Sequence, residues 1–137
     1  MRRLLAVLLA VLVLAGSTGC SGEVSQQEQI VGTWVTNLHG IYVAFNDDGT
    51  YGKGKSPEQA MGTQFGQFES GTWTLEEGLL TLATSQDSQD CNGAIGTYEV
   101  EIADTGDQVL VTLIDDTCAS RIADFPSGLT RHTNTEA

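Results

Sequence analysis

The stretch Cys91–Cys118, CNGAIGTYEVEIADTGDQVLVTLIDDTC, reads as two β-strands joined by a tight polar turn, with a cysteine at each open end. Ile95 to Ala103 alternates, with Gly96, Tyr98, Val100 and Ile102 on one face and Thr97, Glu99 and Glu101 on the other. Gln108 to Ile114 is rich in apolar and β-branched residues, as strands are. Asp104-Thr105-Gly106-Asp107 between them is turn chemistry, because Asp and Gly accept the backbone angles of a hairpin at little cost. Folding the turn so that Ala103 faces Gln108 carries Cys91 to within two positions of facing Cys118. The register therefore predicts a Cys91–Cys118 disulfide.

Working outward to the N-terminus, Arg2 and Arg3 precede an apolar run, Leu4 to Ala15, and then Gly16-Ser17-Thr18-Gly19-Cys20. A basic start, a short apolar core and a small-residue site make a secretory signal, too short to span a bilayer comfortably. A cysteine directly after small residues resembles the lipobox of bacterial lipoproteins. The resemblance implies cleavage before Cys20, acylation of its thiol (palmitate or a similar chain) and a membrane-anchored, extracytoplasmic protein. The expected organisation is a signal helix over 1–19, a flexible polar tether over 20–29 and one folded domain over 30–133. Export also places Cys91 and Cys118 where disulfides persist.

Of six basic residues, Arg2 and Arg3 fall in the signal, leaving four against all 18 acids and a net charge of −14. A nucleic-acid partner needs a basic footprint to neutralise phosphate, and this composition has none. Direct binding to anionic membrane surfaces is disfavoured for the same reason.

Short strands punctuated by turns occupy the rest. Ile30 to Thr36, Ile41 to Asn46 and Thr50 to Lys55 read as strands, the last two joined by the Asp47-Asp48-Gly49 turn. Ser56-Pro57 suits the start of a short helix, as N-cap and first helical residue. Gln64 to Leu75 reads as a strand pair or one bent strand, with a bulge or turn near Glu69-Ser70-Gly71. Leu79 to Thr84 follows. After the cysteine-bracketed hairpin, Ala119 to Phe125 is a second possible helical turn, and Leu129 to Thr133 a last strand. About eight strands in sequence predict an all-β, antiparallel up-and-down barrel, since closure removes the exposed edges of such a meander. Gly-Thr-aromatic recurs at Gly32-Thr33-Trp34, Gly49-Thr50-Tyr51, Gly71-Thr72-Trp73 and Gly96-Thr97-Tyr98, which predicts four rings entering one core.

The Gly32-Thr33-Trp34 opening resembles the lipocalin superfamily, and the wider layout is similar to small lipocalin-like domains of bacterial lipoproteins. That resemblance implies an arginine from the last strand covering the tryptophan at the closed end of the barrel. Arg131 is the matching position, with Arg121 as the alternative partner for a structural cation–π contact.

The candidate barrel lining is Trp34, Val43, Phe45, Trp73, Tyr98, Val100, Val111 and Leu113. These residues suit a pocket for a small apolar ligand, and equally a filled core. His39 and His132 are the only histidines, and both fall near turns or ends. Asp47-Asp48 and Asp115-Asp116 sit at strand ends, without the spacing of a calcium loop. No cofactor motif, metal-ligand cluster or nucleophile elbow is legible, so no catalytic residue, no metal and no enzyme activity are expected. The expected function is a lipid-anchored, extracytoplasmic lipocalin-like protein binding a small apolar ligand. The alternative is an envelope interaction or structural module with a filled barrel and a protein partner.

Overall fold

The computed structural model describes residues 24–134. The signal reading and Cys20 lie outside the described residues. Eight strands form β1 (Gly32–Thr36), β2 (Tyr42–Phe45), β3 (Thr50–Gly54), β4 (Glu69–Glu76), β5 (Leu79–Thr84), β6 (Ile95–Ile102), β7 (Gln108–Asp115) and β8 (Leu129–Arg131). Each pairs antiparallel with the next. β1 pairs with β8 through Trp34↔Arg131, Val35↔Thr130 and Thr36↔Leu129, so the sheet closes into a barrel.

Period-two alternation explains which side chains enter. In β4 the pattern from Glu69 to Glu76 is buried or half-buried at each alternate position, with Trp73 and Leu75 inside and Thr72, Thr74 and Glu76 outside. The four rings of the Gly-Thr-aromatic echo are all buried: Trp34 0%, Tyr51 1%, Trp73 3% and Tyr98 0% exposed. With Phe45, Leu80, Leu82, Val100, Val109 and Leu129 they form one continuous core.

The two ends of the barrel differ. At one end lie the β2–β3, β4–β5 and β6–β7 turns and a short helix, α1 (Gln26–Ile30). This helix occupies part of the stretch read as tether. Ser25 caps it and Glu28 completes a capping box. Its Ile30 is fully buried, and its last carbonyl accepts the indole N–H of Trp34 at 2.8 Å. The apolar residue at its end is what turns a polar stretch into a stopper.

At the other end lie the longer connections. α2 (Pro57–Met61) starts at the Ser56 cap, as its sequence predicts. It lies on the outside of β3, where Gly52 and Gly54 offer no Cβ and Gln59 and Ala60 press close. α3 (Ala119–Asp124) and a 3-10 turn (Phe125–Ser127) connect β7 to β8.

Two expectations are corrected. No turn interrupts Glu69-Ser70-Gly71, which belongs to an unbroken β4, and Phe65 is fully exposed in the connection before it. Leu113, expected in the lining, is 38% exposed. β8 has only three residues and pairs with β7 at Gln108 and Val109 alone, so no strand covers the flank of Leu113.

Candidate functional site: the plugged mouth of the barrel

The inward pattern of β3 and β4 carries charge at the mouth end. Lys53 shares its face with Tyr51, and Glu69 shares its face with Trp73, so both enter the barrel and are 0% and 1% exposed. A bare carboxylate or ammonium in such a place costs several kcal/mol, so each needs a partner. Lys53 Nζ lies 3.3 Å from Glu69 Oε1 and donates to Asp124 Oδ2 at 3.0 Å. Asp124 also meets His39 Nδ1 at 2.9 Å, at the rim.

Arg121 descends from α3 into the same space and is fully buried. Its Nε and Nη2 donate to the two oxygens of Asp116 at 2.7 and 2.8 Å, a bidentate fork. Its Nη1 donates to Thr84 Oγ1 and to Tyr51 Oη, and lies 3.5 Å from Glu69 Oε2. Tyr51 donates to Glu69 Oε2 at 2.6 Å, and Tyr98 donates to Asp116. Position 96 makes the fork possible: a Cβ on Gly96 would strike the Asp116 carboxylate and crowd Arg121 Nη2. Phe125 closes the plug by stacking on Tyr98 at 5.5 Å, with Lys53 Nζ 5.6 Å from its ring centre.

The electrostatics follow from this packing. Burial works against the Asp116 charge, but the Arg121 guanidinium and the Tyr98 hydroxyl hold its carboxyl below the ordinary value. Burial also opposes the Arg121 charge, yet Asp116, Tyr51 and Glu69 carry its pKa above the usual one. Burial, reinforced by Glu69 for Tyr51 and by Asp116 for Tyr98, pushes both phenols well up. Among the described residues no buried side-chain nitrogen or oxygen lacks a hydrogen-bond partner. Chemically, then, Glu69 and Asp116 are committed to cations and hydroxyls.

The cysteines lock this plug in place. Cys91 and Cys118 form a disulfide with a Cα–Cα distance of 5.2 Å. They lie beyond the ladder, in the β5–β6 loop and at the N-cap of α3, so the bond ties the plug to the rim. Glu69, Cys91 and Cys118 bring possible metal ligands within 4.8 Å of one another. In the disulfide the two sulfurs are bonded to each other, and neither is the thiolate a metal site requires.

Seven of the eight proposed lining residues are buried side by side: Trp34, Val43, Phe45, Trp73, Tyr98, Val100 and Val111. Four hollows among the described residues lie against α1, in the 62–67 loop and beside the β4–β5 turn. Arg131 stacks over Trp34 at 4.2 Å at the closed end and donates to the carbonyls of Gly106, Val31 and Gln29. Arg121, the alternative partner, serves the mouth instead. His132 packs edge-on against Tyr42 at 5.3 Å.

Lys53, Glu69 and Asp124 were not singled out from the sequence. The signal that could have found Lys53 and Glu69 is parity, since Lys53 falls on the inward face defined by Tyr51, and Glu69 on that of Trp73. Comparison with protein-family models, with curated proteins and with solved structures found no match to this chain.

Proposed function

We propose that this protein is a lipid-anchored, extracytoplasmic interaction module built on a lipocalin-like barrel that is filled rather than hollow. The observation that carries the reading is the plug. Arg121, Lys53 and Phe125 occupy the mouth through which a ligand would enter, and the aromatic core below them is packed. Opening it would part Arg121 from Asp116 and Lys53 from Asp124, and a buried charge left without its partner costs about 3–5 kcal/mol for each broken pair. The stacking of Arg131 on Trp34 supports the lipocalin-like likeness. The Gly16-Ser17-Thr18-Gly19-Cys20 motif supports the anchor.

Native mass spectrometry of the domain purified from membranes tests the reading. The expected mass is the polypeptide with its anchor and no further molecule. A stoichiometric lipid or pigment, retained after delipidation and displaced by other apolar compounds, would return the barrel to a carrier role. Cys20→Ser is expected to release the protein from the membrane fraction, and continued anchoring would overturn the lipoprotein part.

A further inference from the structure

We propose that the outer face of β5, β6 and β7 docks an amphipathic α-helix of a partner protein whose apolar stripe is flanked by lysine or arginine. The inference rests on the interaction-module reading and names the partner chemistry.

The barrel is closed, and the 3-10 turn packs along β7 beyond the end of β8, so a partner meets a face and not an edge. The outer faces are not alike. α2 lies over β2 and β3, where Ala44, Gly52 and Gly54 are buried. β4 turns Thr72, Thr74 and Glu76 outward, as a strand with one solvated face does. Along β5, β6 and β7 the same outward parity carries Leu79, Ile95, Leu110 and Ile114, which are 41%, 64%, 65% and 55% exposed. Four large aliphatic side chains on three neighbouring strands make a patch, and patches of this kind mark contact surfaces.

The ladder sets the dimensions. Leu79 pairs with Glu99, and Glu99 with Thr112, so Leu79 stands two strands from β7, about 10 Å across the sheet. Leu110 and Ile114 stand four residues apart on β7, about 13 Å at the rise of a strand. Apolar side chains at i, i+4 and i+7 of a helix cover a similar span, since seven residues rise about 10.5 Å.

Charge selects the partner. A shallow hollow of about 440 Å³ on this face is lined by Glu77, Leu79, Glu99, Glu101 and Ile114. No ion pair among the described residues uses Glu77, Glu99 or Glu101. Among the described residues Lys55 is the one exposed Lys or Arg, because Lys53 and Arg121 are buried and Arg131 is stacked on Trp34. A second copy of this chain would set carboxylates against carboxylates, and an anionic surface would be repelled. A lysine or arginine instead lays its stem over Leu79 or Ile114 and brings its head to Glu99 or Glu101.

The test uses the folded domain and a synthetic helical peptide of about 14 residues, four turns, with a leucine stripe flanked by lysines. The same peptide with glutamate for lysine is the control. Amide chemical shifts should move at Leu79, Glu99, Leu110 and Ile114 with the lysine peptide and stay still with the glutamate one. L110S/I114S and E99Q/E101Q, altered only at exposed positions, should each weaken binding at least about tenfold. E58Q/D87N removes as many charges from α2 and the β5–β6 loop, and should change it less than about twofold. Added salt should weaken the complex. Equal losses in E99Q/E101Q and E58Q/D87N would mean general attraction to an acidic protein and would overturn the inference. So would shifts confined to other strands, binding indifferent to L110S/I114S, or a free protein that dimerises through this face. A copurified apolar ligand would instead sink the interaction-module reading itself, whereas an apo protein that ignores the lysine peptide sinks the docking face alone.

Discussion

Arg121 reaches the barrel interior because position 96 has no side chain. The residue scale is governed by this trade of a Cβ for an ion pair. Truncation by Arg121→Ala leaves Asp116 buried without its cation, and should lower the unfolding free energy by about 3–5 kcal/mol in urea titrations. Gly96→Ala should reproduce part of that loss by pushing the Asp116 carboxylate aside. The pH dependence has a definite sign. The folded pKa of Asp116 lies below the ordinary aspartate value of 3.8, so its contribution is complete above that pH and fades as pH falls through the lower folded value. Asp116→Asn should therefore lower the neutral plateau and flatten the acid limb below about pH 4. At the alkaline end, Tyr51 and Tyr98 are raised by burial and by Glu69 and Asp116, so their stabilising neutral forms persist above the ordinary phenol range. Absorbance at 295 nm should show two phenols refractory until the protein unfolds, and one in Tyr51→Phe. None of this was visible in Asp115-Asp116, which looks like any solvated strand end. A fork needs its arginine, and the arginine comes from the far side of a turn.

At the scale of elements, the hairpin from β6 to β7 shows what pattern reading can and cannot reach. Alternation and the Asp-Thr-Gly-Asp turn placed both strands within a residue of their ends, because period two and turn chemistry are local. The register between Tyr98↔Leu113 and Ile102↔Val109 is the one the turn sets, with a shift between Thr97 and Tyr98. The cysteines meet beyond that shift, in a loop and a helix cap, so their pairing follows from proximity rather than from the ladder itself. The fate of Leu113 was not legible, because it depends on where β8 stops, and that is decided by the plug. The disulfide closes a separation of 27 residues. Chain-entropy reasoning gives it about 3–4 kcal/mol. Cys91→Ser/Cys118→Ser should lose about that much in urea, with hydrogen exchange rising first in α3 and the β5–β6 loop. Uniform loosening of all strands at once would show that the bond does not act through the plug.

At the scale of the whole molecule, closure was readable because eight turn-separated strands leave no other economical way to hide their edges, and the four Gly-Thr-aromatic rings marked one interior. The filling of the mouth was not, since a carrier and a packed scaffold use the same apolar parity. Charge distribution supplies a last expectation. Every ion pair among the described residues involves Lys53, Arg121 or His39, and the Lys and Arg pairs are internal. Salt screens exposed charges strongly and buried pairs little. The exposed acids, left to repel one another at a net charge of −14 for residues 20–137, therefore dominate the response. Raising NaCl from 10 mM to 0.5 M should raise the melting temperature by about 3–6 °C, the shift that a relief of somewhat under 1 kcal/mol gives in a domain of this size. Arg121→Met should melt at a different temperature but keep the same salt slope, since the pair it removes is shielded from the solvent ions. A melting temperature that falls with salt would mean that attractive surface pairs outweigh the repulsion.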